Sequence, residues 1–130
     1  MKKGYIIITE KPIVVELQQK GIVFGKIEEI TSTGFGAERT NLSKVTLWGP
    51  DILHTHNKAE ETYFCLEGAG EIFLNGKIYE FNPGTSVIIK PGTLHAARPK
   101  KNSGNLVFQC VSAPAFSYED MVEDPVGRLW

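Results

Sequence analysis

The sequence predicts an all-β protein in which short antiparallel strands form a sandwich or a barrel. Turn signals built from Gly, Pro and Asn recur through most of the chain, and they separate short runs rich in Val, Ile, Phe, Tyr and Thr. This spacing is typical of a sandwich or barrel and differs from the alternation of strands and helices that a parallel sheet requires. Antiparallel strands must also close or stack to protect their edges, which supports the same prediction.

The clearest strand pair is a hairpin centred on Asn75-Gly76. Residues 71–74 and 77–81 flank this dipeptide, and Asn-Gly supplies the positive φ angles that a type I′ turn needs at both central positions. Residues 85–89 and 105–111 are predicted to be further, mostly buried strands. The pattern of residues 14–19 is compatible with a strand or a short helix. The acidic tail after Pro114 is compatible with one helical turn or an arm.

Length, composition and charge predict one domain and exclude several classes of partner. The chain has 130 residues, of which 42% are hydrophobic and 22% are charged, as is usual for a single globular domain. Its formal net charge of -1 provides no general attraction to nucleic acid or to an anionic membrane surface. We therefore expect no nucleic-acid partner and no membrane partner.

The cysteines and the N-terminal residues predict a cytoplasmic protein. Cys65 and Cys110 cannot form a disulfide framework, and they are interpreted as buried or half-buried thiols in a reducing compartment. The apolar run of residues 5–8 ends at Thr9, which is too short for a secretory signal. No stretch of the sequence approaches the length of a membrane span.

The three histidines of the chain all enter one candidate site. His54 and His56 are two residues apart, so on a strand their side chains share one face. Glu61 begins the next strand-like run, and a turn at residues 57–59 would place it on a neighbouring strand facing the histidines. His95 follows a Pro-Gly turn and can supply a fourth ligand.

These residue types suit a divalent first-row transition metal. Neutral imidazoles with one carboxylate are typical ligands of such ions, and they leave coordination positions open for water or substrate. Calcium and magnesium would require more oxygen ligands. A lone His-x-His pair on a strand is nevertheless more often a pair of surface or hydrogen-bonded histidines. The residues alone leave open both a metal site and histidines that merely fill a barrel.

The same residues resemble the two sequence motifs of the cupin family. The first motif, Gly-x5-His-x-His-x3,4-Glu-x6-Gly, is similar to residues 49–68. The second, Gly-x5-Pro-x-Gly-x2-His-x3-Asn, is similar to residues 84–99. The family's four metal-binding positions coincide with the potential ligands of this chain, which are His54, His56, Glu61 and His95.

Three other positions depart from the family pattern. Gly49 stands four residues before His54 where the motif has five. Lys90 replaces the usual proline of the second motif, and Pro99 replaces its terminal asparagine. None of these positions is a ligand, so the resemblance still implies metal binding, but it does not extend to the shape of the barrel mouth or to a substrate.

The resemblance implies a small antiparallel jelly-roll β-barrel that holds one divalent transition metal through the four residues just named. The ion can be Fe, Mn, Zn, Ni, Co or Cu. We expect a single domain over residues 1–130, with a motif-bearing core at about 45–112, an N-terminal strand or arm at about 1–27 and a C-terminal tail at about 113–130. Cupins of one barrel commonly pair, which implies a homodimer, and the N-terminal residues can add a strand to a partner's sheet.

Two classes of function are compatible with such a site. A metal-dependent enzyme would act on a small organic molecule, and we favour dioxygenase-type oxidoreductase chemistry over a sugar or sugar-phosphate isomerase or epimerase. Its catalytic candidates are Glu61 and Tyr63, because strand alternation places both on one face. The alternative is a module that binds or senses a small ligand without turnover.

A basic cluster surrounds the second motif and has two interpretations. It consists of Lys90, Arg98, Lys100 and Lys101. These residues would attract an anionic molecule such as a carboxylate or phosphate if they line the barrel mouth. If they do not, they form an ordinary solvated loop.

Overall fold

The computed structural model describes residues 4–124 and 130, and it confirms the all-β prediction. Two 3-10 turns, Thr33–Phe35 and Tyr118–Asp120, are the helical elements of the described residues. The strands in chain order are β1 (Ile13–Gln19), β2 (Ile22–Thr31), β3 (Asn41–Leu47), β4 (His54–His56), β5 (Glu60–Glu67), β6 (Gly70–Leu74), β7 (Lys77–Phe81), β8 (Ser86–Ile89), β9 (His95–Pro99), β10 (Leu106–Ala113) and β11 (Met121–Glu123).

The strands form two antiparallel sheets that share one core. The first sheet has the order β1-β2-β3-β10-β5-β8, and the second has the order β11-β4-β9-β6-β7. Strands β4 and β5 follow each other in the chain but belong to different sheets. The expectation that Glu61 lies on a strand beside the histidines is therefore wrong in detail, because Glu61 faces them from the opposite sheet.

The predicted strands agree with the observed ones. The hairpin of β6 and β7 turns at Asn75 (φ 47°) and Gly76 (φ 95°), as a type I′ turn requires. Strands β8 and β10 confirm the two further strands predicted from the sequence. Strand β10 is mostly buried as predicted, but the prediction of burial is wrong for β8, which is at a sheet edge and leaves Ile88 63% exposed. Residues 14–19 belong to β1, which pairs with β2 of the same chain. The tail contains one 3-10 turn followed by the short strand β11.

The core is formed by apolar side chains from both sheets. Its largest fully buried apolar side chains are Leu47, Ile72, Phe81, Leu106 and Phe108. Burying side chains of this size from two facing sheets is the main favourable contribution to folding. Both cysteines are free and buried in this core, as the sequence predicts.

Alternation along β5 positions the site residue of that strand. Glu61, Tyr63 and Cys65 are buried, whereas Phe64 on the opposite face is 39% exposed. Glu61 is thus the polar first member of an otherwise apolar row, at the end of the strand nearest to β4.

None of the helices in the described part of the chain is long and apolar enough to cross a membrane.

We predict that Gly68→Ala destabilises the fold by about 2 kcal/mol or more. Gly68 has a φ of 91°, and an added methyl group would collide with the carbonyl oxygen of Asn105. Gly84→Ala is the matched control, because Gly84 has a φ of 90° but open space around it. Urea unfolding should show a clearly smaller loss for the control, of about 1 kcal/mol. Equal losses would show that φ alone, and not the collision, requires glycine at residue 68.

Candidate metal centre

The structure brings together all four residues predicted to bind a metal. His54 and His56 lie on β4, Glu61 on β5 and His95 on β9, and all four side chains are buried. One potential ligand atom from each residue lies within 4.8 Å of the others. Since β4 pairs with β9 through His54 and His95, the sheet register itself places two of the imidazoles side by side.

Two of the three imidazoles are oriented by backbone carbonyl groups. His54 Nδ1 lies 2.6 Å from the carbonyl oxygen of Ile52, and His95 Nδ1 lies 2.8 Å from that of Thr93. Each Nδ1 can donate its proton to that oxygen, which leaves the lone pair on Nε2. This is the tautomer that a metal ligand needs.

Among the described residues, His56 has no hydrogen-bond partner at either ring nitrogen, although it is only 2% exposed. Its Nε2 lies 3.0 Å from Glu61 Oε1, but not in hydrogen-bonding geometry. Buried polar atoms rarely remain unpaired, so the two side chains are suited to sharing a bound ion. Three imidazoles and one carboxylate in this arrangement fit a divalent transition metal.

The two carboxylate oxygens of Glu61 face different groups. Oε1 lies near His56 Nε2 and His95 Nε2, the latter at 3.3 Å. Oε2 accepts hydrogen bonds from Ser112 Oγ at 3.1 Å and Cys110 Sγ at 3.3 Å. Burial would raise the pKa of Glu61, but the adjacent imidazoles of His56 and His95 outweigh burial and hold that pKa well below its usual range. Glu61 is therefore ionised at neutral pH.

Burial shifts the protonation of two groups beside Glu61. It lowers the pKa of His54 to about 4, with a further contribution from His95, so His54 is neutral at pH 7 and can act as a ligand. It raises the pKa of Asp51 to about 6, against the hydrogen bond that Asp51 accepts from the backbone N–H of Ile52. Asp51 is still mostly ionised at pH 7.

A cavity of about 200 Å³ adjoins the cluster. His54, His56 and Glu61 line it, whereas His95 lies fully buried and outside this lining. Apolar side chains form much of the remaining wall, including Phe24, Val45 and Phe108. The volume suits a small molecule, and three of the four potential ligands can be reached from it.

Tyr63, the second catalytic candidate, lies inside the core. Its ring packs between Phe108 at 4.6 Å and Phe81 at 6.4 Å, and it lies 5.9 Å from the ring of His95. Burial, with a smaller contribution from the charge of Glu61, raises the pKa of Tyr63 well above its usual value. Its hydroxyl group is therefore neutral, and the catalytic role of Tyr63 stays a prediction.

The basic cluster does not line the cavity. Lys90 Nζ lies 2.6 Å from Glu60 Oε1, Arg98 pairs with Glu71, and Lys100 pairs with Glu80. Arg98, Lys100 and Lys101 border a separate surface groove that shares no lining residue with the histidine cavity. The structure therefore favours the interpretation of these residues as solvated and paired over a role at the mouth of this cavity.

Asp120 supports the site, although no sequence pattern identifies it. Its backbone oxygen accepts a hydrogen bond from the N–H of Asn57, and its carboxylate accepts two more from the N–H groups of Lys58 and Ala59. These three residues form the turn between the ligands His56 and Glu61. Asp120 Oδ2 is also 3.9 Å from His56 Nδ1. The local sequence shows only one acid in an acidic tail, so no pattern could have identified it.

Comparison with known proteins agrees with this geometry. The sequence model described as "Cupin domain" matches residues 48–112, half of the chain. The chain therefore belongs to the cupin family. It is also 37% identical over 71 residues to the uncharacterized protein MJ1618 of Methanocaldococcus jannaschii. That match covers 53% of this chain and 54% of the relative, so the chain spans about half the length of the relative.

Solved structures show the same fold at low sequence identity. Streptomyces Pac13, described as a unique nucleoside dehydratase, is 15% identical and has a TM-score of 0.67, with 95% of this chain and 92% of that chain covered. Ectoine synthase from P. lautus is 20% identical and has a TM-score of 0.65, with 88% and 87% covered. At these identities the likeness establishes the double-stranded β-helix architecture and not the reaction.

We predict that Asp120→Asn weakens metal binding by about tenfold or more, as is usual for residues that orient metal ligands. The amide retains one acceptor oxygen, so it cannot accept hydrogen bonds from both Lys58 and Ala59. Glu119→Gln is the matched control, because Glu119 is an exposed neighbour. Competition between the protein and a chelating dye for Zn²⁺ would measure both affinities. Unchanged affinity in Asp120→Asn, with an unchanged melting temperature, would contradict the supporting role.

Proposed function

We propose that this member of the cupin family is a metal-dependent enzyme that acts on a small organic molecule. Its metal would be one divalent transition ion held by His54, His56, Glu61 and His95. The observation that carries the proposal is the unpaired, buried imidazole of His56, which meets Glu61 at the wall of the 200 Å³ cavity. If the histidines only filled the barrel, their buried ring nitrogens would have hydrogen-bond partners.

The residues around the cavity would have distinct roles. The backbone oxygens of Ile52 and Thr93 keep His54 and His95 in the tautomer that binds metal. Ser112 and Cys110 hold Glu61 Oε2, so Oε1 is the atom available to an ion or to a proton. When bound, the ion would supply Lewis acidity or, if it is redox-active, a site for O₂. The neutral hydroxyl group of Tyr63 would be a hydrogen-bond donor beside the site.

Two reaction classes follow from this ligand set. We favour a dioxygenase-type oxidoreductase, because three imidazoles and one carboxylate leave room for both substrate and O₂ around iron. The second candidate is non-redox isomerase, epimerase or lyase chemistry. A nucleoside dehydratase is built on the same architecture, so the fold is compatible with that candidate. The ion that the protein retains separates the two classes.

We predict about one transition-metal ion per chain in protein purified without chelators under nitrogen, and its loss in His56→Ala. Thr55→Ala is the matched control, because Thr55 lies between the two histidines on β4 and is less buried than either. Elemental analysis is the measurement. Iron would lead to oxygen-uptake assays, and zinc, manganese, nickel or cobalt would lead to isomerase and lyase assays. If the wild-type protein holds no metal even after soaking, the site assignment is wrong.

A non-enzymatic binding module is the alternative. It predicts no turnover of sugars, sugar phosphates, diketones or aromatic diols by the metal-loaded protein, although ligands still raise the melting temperature. An enzyme predicts turnover that His95→Ala abolishes while the thermal shift by the same ligand survives.

We also propose a homodimer that forms along β1. This strand is at one edge of the six-stranded sheet, and its Ile13 and Val14 are about half exposed. An apolar edge strand is a template for pairing with another chain. A protomer has a mass of 14.4 kDa, and light scattering should give about twice that value.

We predict that Val14→Lys shifts the protein towards the monomer. Ile78→Lys is the matched control, because Ile78 is comparably exposed on β7 at the edge of the other sheet. A wild-type monomer at micromolar concentration would overturn the proposed dimer.

A further inference from the structure

The histidine cavity has an acidic lining beyond its metal ligand. Besides Glu61, its walls include Glu29 from β2, Asp51 from the loop before β4 and Glu123 from β11. Glu29 and Asp51 are half-buried, whereas Glu123 is exposed. The carboxylates thus extend from the buried site to the solvent.

The sheet register shows that Glu29 and Glu123 face inwards. Glu29 is paired with Ser43, whose buried side chain lines the cavity. Glu123 is paired with His54, and directly opposed residues in antiparallel strands share a face. Glu16 of β1 also borders the cavity. It stands between the inward-facing Val15 and Leu17, so strand alternation places its side chain on the outer face, as it does for its cross-strand partner Lys26.

No positive side chain balances these carboxylates in the part of the chain that the structure describes. The cavity lining there contains no lysine or arginine. The ion pairs between described residues involve neither Glu29 nor Asp51 nor Glu123. The described basic residues near the second motif border a different groove.

A bound divalent ion would not reverse the sign of this lining. Its two positive charges are fewer than the four carboxylates of Glu29, Asp51, Glu61 and Glu123. A ligand with a carboxylate or phosphate would lose its hydration in a cavity that is net negative even when metal is bound, whereas an ammonium group would be attracted.

We infer that the cavity selects small molecules that carry an ammonium group, and that Glu29, Asp51 and Glu123 recognise this group while the rest of the ligand reaches the metal. The inference rests on the proposed function, because it places the ligand between the metal and the acidic wall. Phe24, Val45 and Phe108 supply an apolar surface for the carbon skeleton of the ligand. The unpaired His56 indicates that the metal end of the cavity is built to hold a ligand.

A charge series of metal-binding probes would test the inference. We would load the protein with Co²⁺ and titrate it with β-alanine hydroxamate, butyrohydroxamate and succinic monohydroxamate. These probes share the metal-binding group and nearly the same chain length, and end in an ammonium, a methyl and a carboxylate group. We expect the ammonium probe to bind about tenfold more tightly than the methyl probe, and the carboxylate probe more weakly than both. Visible absorption of Co²⁺ and calorimetry would give the affinities.

Two variants and a matched control would locate the effect. Glu29→Gln and Glu123→Gln should each lower the affinity for the ammonium probe several-fold. They should leave the affinity for the methyl probe unchanged, which separates charge recognition from a general disturbance of the site. Glu67→Gln removes the same charge from an exposed side chain at the end of β5 that does not line the cavity, and it should change none of the affinities.

The outcomes distinguish this inference from the proposed function. Failure to bind Co²⁺ overturns the metal site and the inference with it. Retention of Co²⁺ with equal affinities for the three probes, with a preference for the carboxylate probe, or with no probe binding, overturns the inference alone. The expected order of affinities, lost in Glu29→Gln and Glu123→Gln but not in Glu67→Gln, supports it.

Discussion

The buried carboxylate of Glu61 is the group on which the rest of the site depends. An ionised side chain that is 5% exposed is costly unless all of its oxygens are engaged. Here Oε2 is held by Ser112 and Cys110, which are on β10 of the same sheet, and Oε1 faces imidazoles from the other sheet. Glu61 thus links the two sheets through polar contacts at one end of a core that is otherwise apolar.

The turn that carries this carboxylate is held from the far end of the described chain. The two ligands flanking residues 57–59 belong to different sheets, so the turn must cross the edge of the sandwich without a strand partner for its backbone. Asp120 accepts hydrogen bonds from the three backbone N–H groups of this turn. Strand β11 then pairs with β4 and places Glu123 beside His54. The C-terminal segment is therefore part of the site, although the family motifs end before it.

Most of the strands and all four potential ligands could be predicted from the sequence, because their signals are local. The Asn75-Gly76 turn, the alternation in β5 and the spacing of His54 and His56 each depend on neighbours within a few residues. The partition of β4 and β5 between two sheets could not be predicted, since a turn does not specify which sheet its second strand joins. Asp120 acts across more than 60 residues, and a single acidic residue carries no pattern over that distance.

Charge was the least predictable property of the site, and the reason is physical. The net charge of -1 is the sum over all side chains. It does not show that the basic side chains near the second motif lie on the outer surface while several carboxylates line the cavity. Lys90, Arg98 and Lys100 are close to the second motif in sequence, yet each extends to an acid on the outer surface. Glu29, Asp51 and Glu123 are far apart in sequence and line one cavity only because β2 and β11 belong to opposite sheets. Since the field inside a cavity depends on which side chains face it, the register of the strands determines the charge of the ligand that the cavity can bind.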